Sequence, residues 1–106
     1  MNAFFIKQSN IYKKIPFETV LWIKAEGNYS MVHVVNKRYV LKISLKKVLE
    51  QLPKDLFLQV HRAYIVYVSK IEDIDISNNE LTIGNEKIPL GRSYRDDLFS
   101  RLDIIK

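Results

Sequence analysis

Apolar and polar residues alternate with a period of two along most of this chain, the spacing at which one face of a pleated strand is buried. The pattern predicts strands over 4–7 and 11–15, joined at Ser9-Asn10, and a third over 20–25 beyond Pro16. Glu26-Gly27-Asn28 reads as a loop, since Gly and Asn both tolerate positive φ. Strands over 29–35 and 38–43 then form a hairpin about Asn36-Lys37. Met31, His33 and Val35 share one of its faces, and Ser30, Val32 and Val34 share the other.

The period changes to helical once in the middle of the chain. Leu45, Val48, Leu49 and Leu52 fall at i, i+3, i+4 and i+7, with Ser44 placed to cap the first turn and Pro53 to end the last. Strand spacing returns over 70–76, with a turn at Ser77-Asn78-Asn79, and strands 81–83 and 87–90 flank Gly84-Asn85, a tight-turn pair. A final helix begins at Ser93, with Asp96 three residues on and Tyr94, Leu98 and Leu102 as its apolar stripe. About eight to ten short strands with two helices must bury a multi-sheet antiparallel core and leave basic side chains on loops and edges.

One stretch resists the pattern. In 57-FLQVHRAYIVYVSKI-71 two apolar runs meet at His61-Arg62 with no turn residue between them. Strict alternation from Val60 would aim Arg62 into the core, so the strand has to end or twist at His61. An Arg at such a break is either exposed for contact or salt-bridged.

Length and composition narrow the class. The 106 residues suit a single domain, with a core over about 4–102 and no second domain in the chain. Cysteine is absent, which removes disulfides, thiolate metal sites and thiol nucleophiles and fits a reducing compartment. The N-terminal MNAFFIKQSN lacks a signal-peptide pattern, and no run is long enough to cross a bilayer, so the chain reads as soluble and cytoplasmic. Seventeen Lys and Arg against twelve Asp and Glu give a net charge of +5, which points to a polyanionic partner. The bases load the first half, whereas Glu72, Asp73, Asp75, Glu80 and Glu86 gather later, so separate positive and negative faces are expected.

Enzymatic patterns are missing. His33 and His61 lie on separate segments without metal-ligand spacing, Asp73 and Asp75 lack a partner base or a phosphate loop, and no cofactor is called for. His33 reads as structural. Binding chemistry has more to work with. Gly27-Asn28-Tyr29-Ser30, His61-Arg62 and Gly91-Arg92-Ser93-Tyr94-Arg95 put polar or basic groups where the backbone is irregular. Asn can pair with adenine, and Arg with guanine or phosphate. Gly91 would let the backbone approach a partner, and Ser93 with the free N–H groups of its helix would suit a phosphate.

The order V-L-W-I-K-A-E-G-N-Y (20–29), L-x3-L-E-x-L-P (45–53), F-L-Q-V-H-R-A-Y-I-V (57–66), K-I (70–71) and I-P-L-G-R-S-Y-R (88–95) resembles the LytTR DNA-binding domain, the output module of many bacterial response regulators. The likeness extends over nearly the whole chain. It implies a mainly β fold, an elongated stack of short antiparallel sheets with about ten strands and two short helices. It implies that loops rather than a recognition helix enter the DNA grooves. Carried over by position, the contacting residues are Asn28, Tyr29, Ser30, Arg62, Arg92 and Ser93, with Lys24 and Arg95 adding charge nearby and His61 bracing the bend.

The same resemblance implies sequence-specific binding of double-stranded DNA by a transcription regulator, pairing of copies on repeated half-sites, and a phosphoacceptor receiver domain with a sensor kinase upstream. Three positions depart from the family's habit: Lys24 replaces an acid, Ala63 a Ser, and Tyr67 an Asn. Two other classes compete. A single-strand-binding β-barrel would use Tyr12, Trp22, Tyr29, Tyr39 and Tyr64 as stacking platforms, and a basic protein-interaction module would use none.

Overall fold

A computed structural model describes residues 2–106 and contains ten strands. β1 (Ala3–Gln8) and β2 (Ile11–Pro16) form a separate two-stranded sheet. Five strands make the central sheet in the order β5-β4-β3-β7-β6: β3 is Val20–Glu26, β4 Tyr29–Val34, β5 Lys37–Leu41, β6 Phe57–His61 and β7 Tyr64–Tyr67. A third sheet holds β8 (Asp73–Asp75), β9 (Glu80–Ile83) and β10 (Glu86–Pro89), and all pairings are antiparallel. The helices are α1 (Leu45–Gln51) and α2 (Arg95–Ser100). The result is a stack of small sheets about 50 × 28 × 25 Å, elongated as the resemblance implied.

The middle strands depart from strict alternation toward continuous apolar runs because the central sheet is buried on both sides. Ile23, Val32, Tyr39, Phe57 and Ile65 point toward α1 and the β1–β2 hairpin in one cluster. Trp22, Leu58, Val60 and Val66 point the other way, onto the three-stranded sheet and Leu98 of α2. Neighbouring residues on β3 and β7 therefore serve different cores, and both must be apolar. α1 starts where expected: Ser44 Oγ accepts a hydrogen bond from the Lys47 N–H at 3.2 Å.

Local turn chemistry decides the boundaries. Gly84 and Asn85 both have positive φ, +54° and +70°, as a two-residue hairpin turn needs. The β4–β5 turn is Val35-Asn36 rather than Asn36-Lys37, because Asn36 takes the left-handed conformation (φ +71°) and Lys37 already pairs with Val34. The strand expected over 70–76 shrinks to Asp73–Asp75. Val68–Lys70 is a 3-10 turn in which the Ile71 N–H returns to the Val68 carbonyl.

Ser93 does not start the last helix. Arg92–Tyr94 is a separate 3-10 turn, Gly91 precedes it, and α2 begins at Arg95 without a side-chain cap. The acids Glu72, Asp73, Asp75, Glu80 and Glu86 all lie on or beside the three-stranded sheet, so the negative cluster in the sequence is a cluster in space.

Candidate nucleic-acid interface

The His61-Arg62 break is a tight hairpin. Gln59 pairs with Ile65, but His61 pairs with Tyr64, so β6 carries one extra residue just before the turn. That bulge removes the conflict in the sequence, since Val60 stays fully buried while Arg62 swings out to solvent. Three hydrogen bonds hold the turn. His61 Nδ1 accepts from the Ala63 N–H at 3.0 Å, Gln59 Nε2 donates to the Arg62 carbonyl at 3.3 Å, and the Ala25 N–H donates to the Ala63 carbonyl at 2.8 Å. Burial, and then the Arg62 charge beside it, hold the His61 imidazole below its ordinary pKa. A neutral ring with its proton on Nε2 can keep accepting at Nδ1.

The bond from Ala25 also ties this turn to its neighbour. Ala25 lies near the end of β3, and the β3–β4 turn, Gly27-Asn28, follows after one more pair, Glu26 with Tyr29. Gly27 has φ +61° and open space around it, and Asn28 and Tyr29 are exposed. On the other flank the Gly91 N–H donates to the Val60 carbonyl at 2.8 Å, which hangs the Gly91–Tyr94 turn on the bulge of β6. A Cβ at Gly91 would lie 2.8 Å from Tyr94 Cδ2. An internal contact with Tyr94 therefore accounts for the glycine by itself, without a partner.

Three turns distant in sequence are thus joined side by side through main-chain bonds. Strands about 4.8 Å apart spread them over a front roughly 10–15 Å wide, on the scale of the ~12 Å major groove. Arg92 and Ser93 are exposed next to Gly91. Lys24, paired with Tyr64 across β3 and β7, holds its ammonium 5.8 Å from the Tyr64 ring centre.

Two residues expected in this group have other partners. Ser30 is fully buried, and its hydroxyl donates to the Ile43 carbonyl at 2.9 Å, so it braces the β4–β5 hairpin and offers nothing to a ligand. Arg95 is half-buried and reaches Asn79 Oδ1 at 3.5 Å, which ties α2 to the β8–β9 turn. Tyr67, one of the departures from the family habit, packs edge-on against Phe57 with ring centres 5.1 Å apart. The sequence reading missed the braces Gln59 and Ala25. Gln59 did carry a signal, as the one polar residue inside the apolar run before His61.

Among the described residues no group of three or more His, Asp or Glu is placed to hold a metal ion, and no helix is long and apolar enough to cross a membrane.

Comparison with known proteins agrees with the fold. The family model of the LytTr DNA-binding domain matches residues 10–103. A solved structure from Bacillus cereus, described as the LytTr DNA-binding domain of a methyl-accepting/DNA response regulator, superposes with a TM-score of 0.81 at 27% identity, covering 98% of this chain and 99% of that one. The sensory transduction protein LytT of Enterococcus faecalis is 27% identical over 101 residues, 92% of this chain and 41% of that protein. An uncharacterized response regulatory protein of Vibrio cholerae is 36% identical over 64 residues, 57% of this chain and 24% of that protein. This chain therefore spans less than half the length of the Enterococcus and Vibrio proteins. The matched family is one of DNA-binding domains, not of enzymes. With ten strands in three antiparallel sheets and a family match over 10–103, the chain belongs to the LytTr DNA-binding domain family.

Proposed function

We propose that this domain binds double-stranded DNA with sequence specificity as the output part of a bacterial response regulator acting in the cytoplasm. Asn28, Arg62 and Arg92 would reach base edges, while Tyr29, Ser93 and Lys24 contact sugar and phosphate. The observation that carries the reading is the pair of main-chain bonds, Ala25 to Ala63 and Gly91 to Val60, that lock three polar turns into one front. A preset front loses little entropy on binding, which favours specific contact over loose attraction. In the wider protein a receiver domain, answering to a sensor kinase, would govern how copies of this domain meet repeated half-sites.

The aromatic side chains favour duplex over single-stranded nucleic acid. Trp22 and Tyr39 are buried, Tyr64 is half-buried with its ring edge-on to His61, Tyr12 lies exposed on the two-stranded sheet, and Tyr29 lies exposed at the end of the central one. They do not share a stacking platform of the kind that single strands require.

Competition between duplex and single-stranded DNA across a salt series tests the proposal. Preference for duplex is expected, with log K falling against log salt at a slope near −5 if roughly six phosphates are neutralised. Preference for the single strand, or binding indifferent to salt, would refute it.

A further inference from the structure

On the side of the central sheet facing α1, a groove runs between two strands that each lack a neighbour on one side. Residues 4–7 of β1 form one wall and residues 40–43, from β5 onward, form the other, with Val48 and Leu52 of α1 also lining it. Phe5 (52% exposed) and Val40 (48%) leave apolar surface open there, and the charged groups lining it, Lys7 and Lys42, are both cationic. Such a slot, apolar with open backbone edges, is suited to an added strand.

The chain carries a segment of matching chemistry. After α2, residues 103–106 run without helix or strand, and Ile104 and Ile105 are 53% and 100% exposed. Asp103 and Ile104 line a second hollow together with Glu72, Asp73 and Phe99. This surface is apolar and acidic where the first is apolar and basic.

We propose that the segment around Asp103, Ile104 and Ile105 of one copy lies in the β1–β5 groove of the next, with Asp103, Glu72 and Asp73 facing Lys7 and Lys42. The segment cannot fill its own groove. Leu98 and Leu102 anchor it in the core on the opposite side of the central sheet. Its three residues beyond Leu102 reach about 10 Å, whereas the layers on the two sides of a sheet are roughly 20 Å apart. Groove-on-groove pairing of two copies would set Lys7 and Lys42 against their own counterparts. The contact therefore joins unlike surfaces, the segment of one copy and the groove of the next, and repeated in one direction it lets copies follow one another in a row. The pairing needs no DNA; its use on repeated half-sites rests on the DNA-binding reading above.

The absence of cysteine from the chain makes the test direct. Val40→Cys and Ile105→Cys proteins are oxidised alone, mixed, and combined in one chain, with Lys87→Cys plus Ile105→Cys as background for random collision. Single-half-site DNA affinity is measured on each protein. A disulfide dimer enriched in the Val40→Cys and Ile105→Cys mixture, and lost when Lys7→Glu and Lys42→Glu are added to the Val40→Cys chain, is the expected result. Three results would overturn the proposal: mixed dimers no more abundant than background, Val40→Cys dimers dominating, or a monomeric internal disulfide as the main product of the combined chain. Cross-linking without any half-site affinity would leave the pairing intact and sink the DNA reading. Normal half-site affinity without cross-linking would do the reverse.

Discussion

Adding one methyl group at position 91 isolates the contact that fixes the Arg92 turn. Gly91 sits at φ −69° and ψ 141°, a conformation alanine adopts freely, so backbone strain plays no part. Replacing glycine at such a site should stabilise the fold by about 0.4–1 kcal/mol through the unfolded chain. Against this, the new Cβ would stand 2.8 Å from Tyr94 Cδ2, 3.3 Å from Cε2 and 3.6 Å from the Val60 carbonyl. The Tyr94 ring packs against the second core and cannot simply swing away. Overpacking of that kind costs about 1–3 kcal/mol, so Gly91→Ala should be destabilised by roughly 1–2 kcal/mol. In a Tyr94→Ala background the overlap disappears, and the same change should become neutral or stabilising. Urea unfolding of the four proteins gives the coupling, expected at about 1–3 kcal/mol. An equal loss in both backgrounds would show that the ring does not dictate the glycine, and the reasoning would fail.

Other perturbations separate bracing from contact. Ser30→Ala leaves the Ile43 carbonyl without its hydroxyl donor and should lower stability by about 1–3 kcal/mol, read by thermal denaturation, without changing which DNA is preferred. Arg92→Ala should cost about 1–3 kcal/mol of discrimination between the preferred site and a variant if it reads a base. Arg95→Ala, whose guanidinium is occupied with Asn79, should leave that discrimination unchanged; both are read in titrations against the two duplexes.

Stability should also fall in mild acid. His33 stacks on Trp22 with ring centres 4.9 Å apart, and its Nε2 is buried without a hydrogen-bond partner. Burial first, and Arg38 next, hold its pKa below 6.5. The unfolded chain then takes up protons before the folded one, so stability is full above the unfolded pKa and is lost as pH falls through the folded one. His33→Phe should flatten much of that slope in pH-dependent unfolding, with His61 supplying the remainder, since its pKa is depressed too.

How much of this was legible in the sequence varied with the physics behind each element. Period-two spacing located strands such as β4 and β9, where buried and open positions alternate, and β3 and β7 stood out as apolar runs because both their faces are buried. Gly84-Asn85 marked its turn because both positions need positive φ. Alternation along β4 put Ser30 on one face with Val32 and Val34 without saying which way that face turned; the structure buries Ser30 and Val32 there, which conflicts with the DNA contact that the family resemblance suggested. The strand expected over 70–76 starts only at Asp73 because a bond from the Ile71 N–H to the Val68 carbonyl closes a 3-10 turn that no glycine or proline announces.

Arg62 stood out in the sequence as a charge aimed at the core, yet the bulge at Val60 that frees it is a matter of pairing register. The bonds from Ala25 to Ala63 and from Gly91 to Val60 were invisible for a similar reason. They join main-chain atoms, which every residue type except proline carries alike.

Selection of binding sites from a random duplex library, with the wild-type protein and Arg62→Ala in parallel, tests the central claim most directly. The account predicts a defined motif in repeated half-sites for the wild type, relaxed or lost at particular positions in the variant. Enrichment of no motif by the wild type, or the same motif at full strength from both proteins, would contradict it.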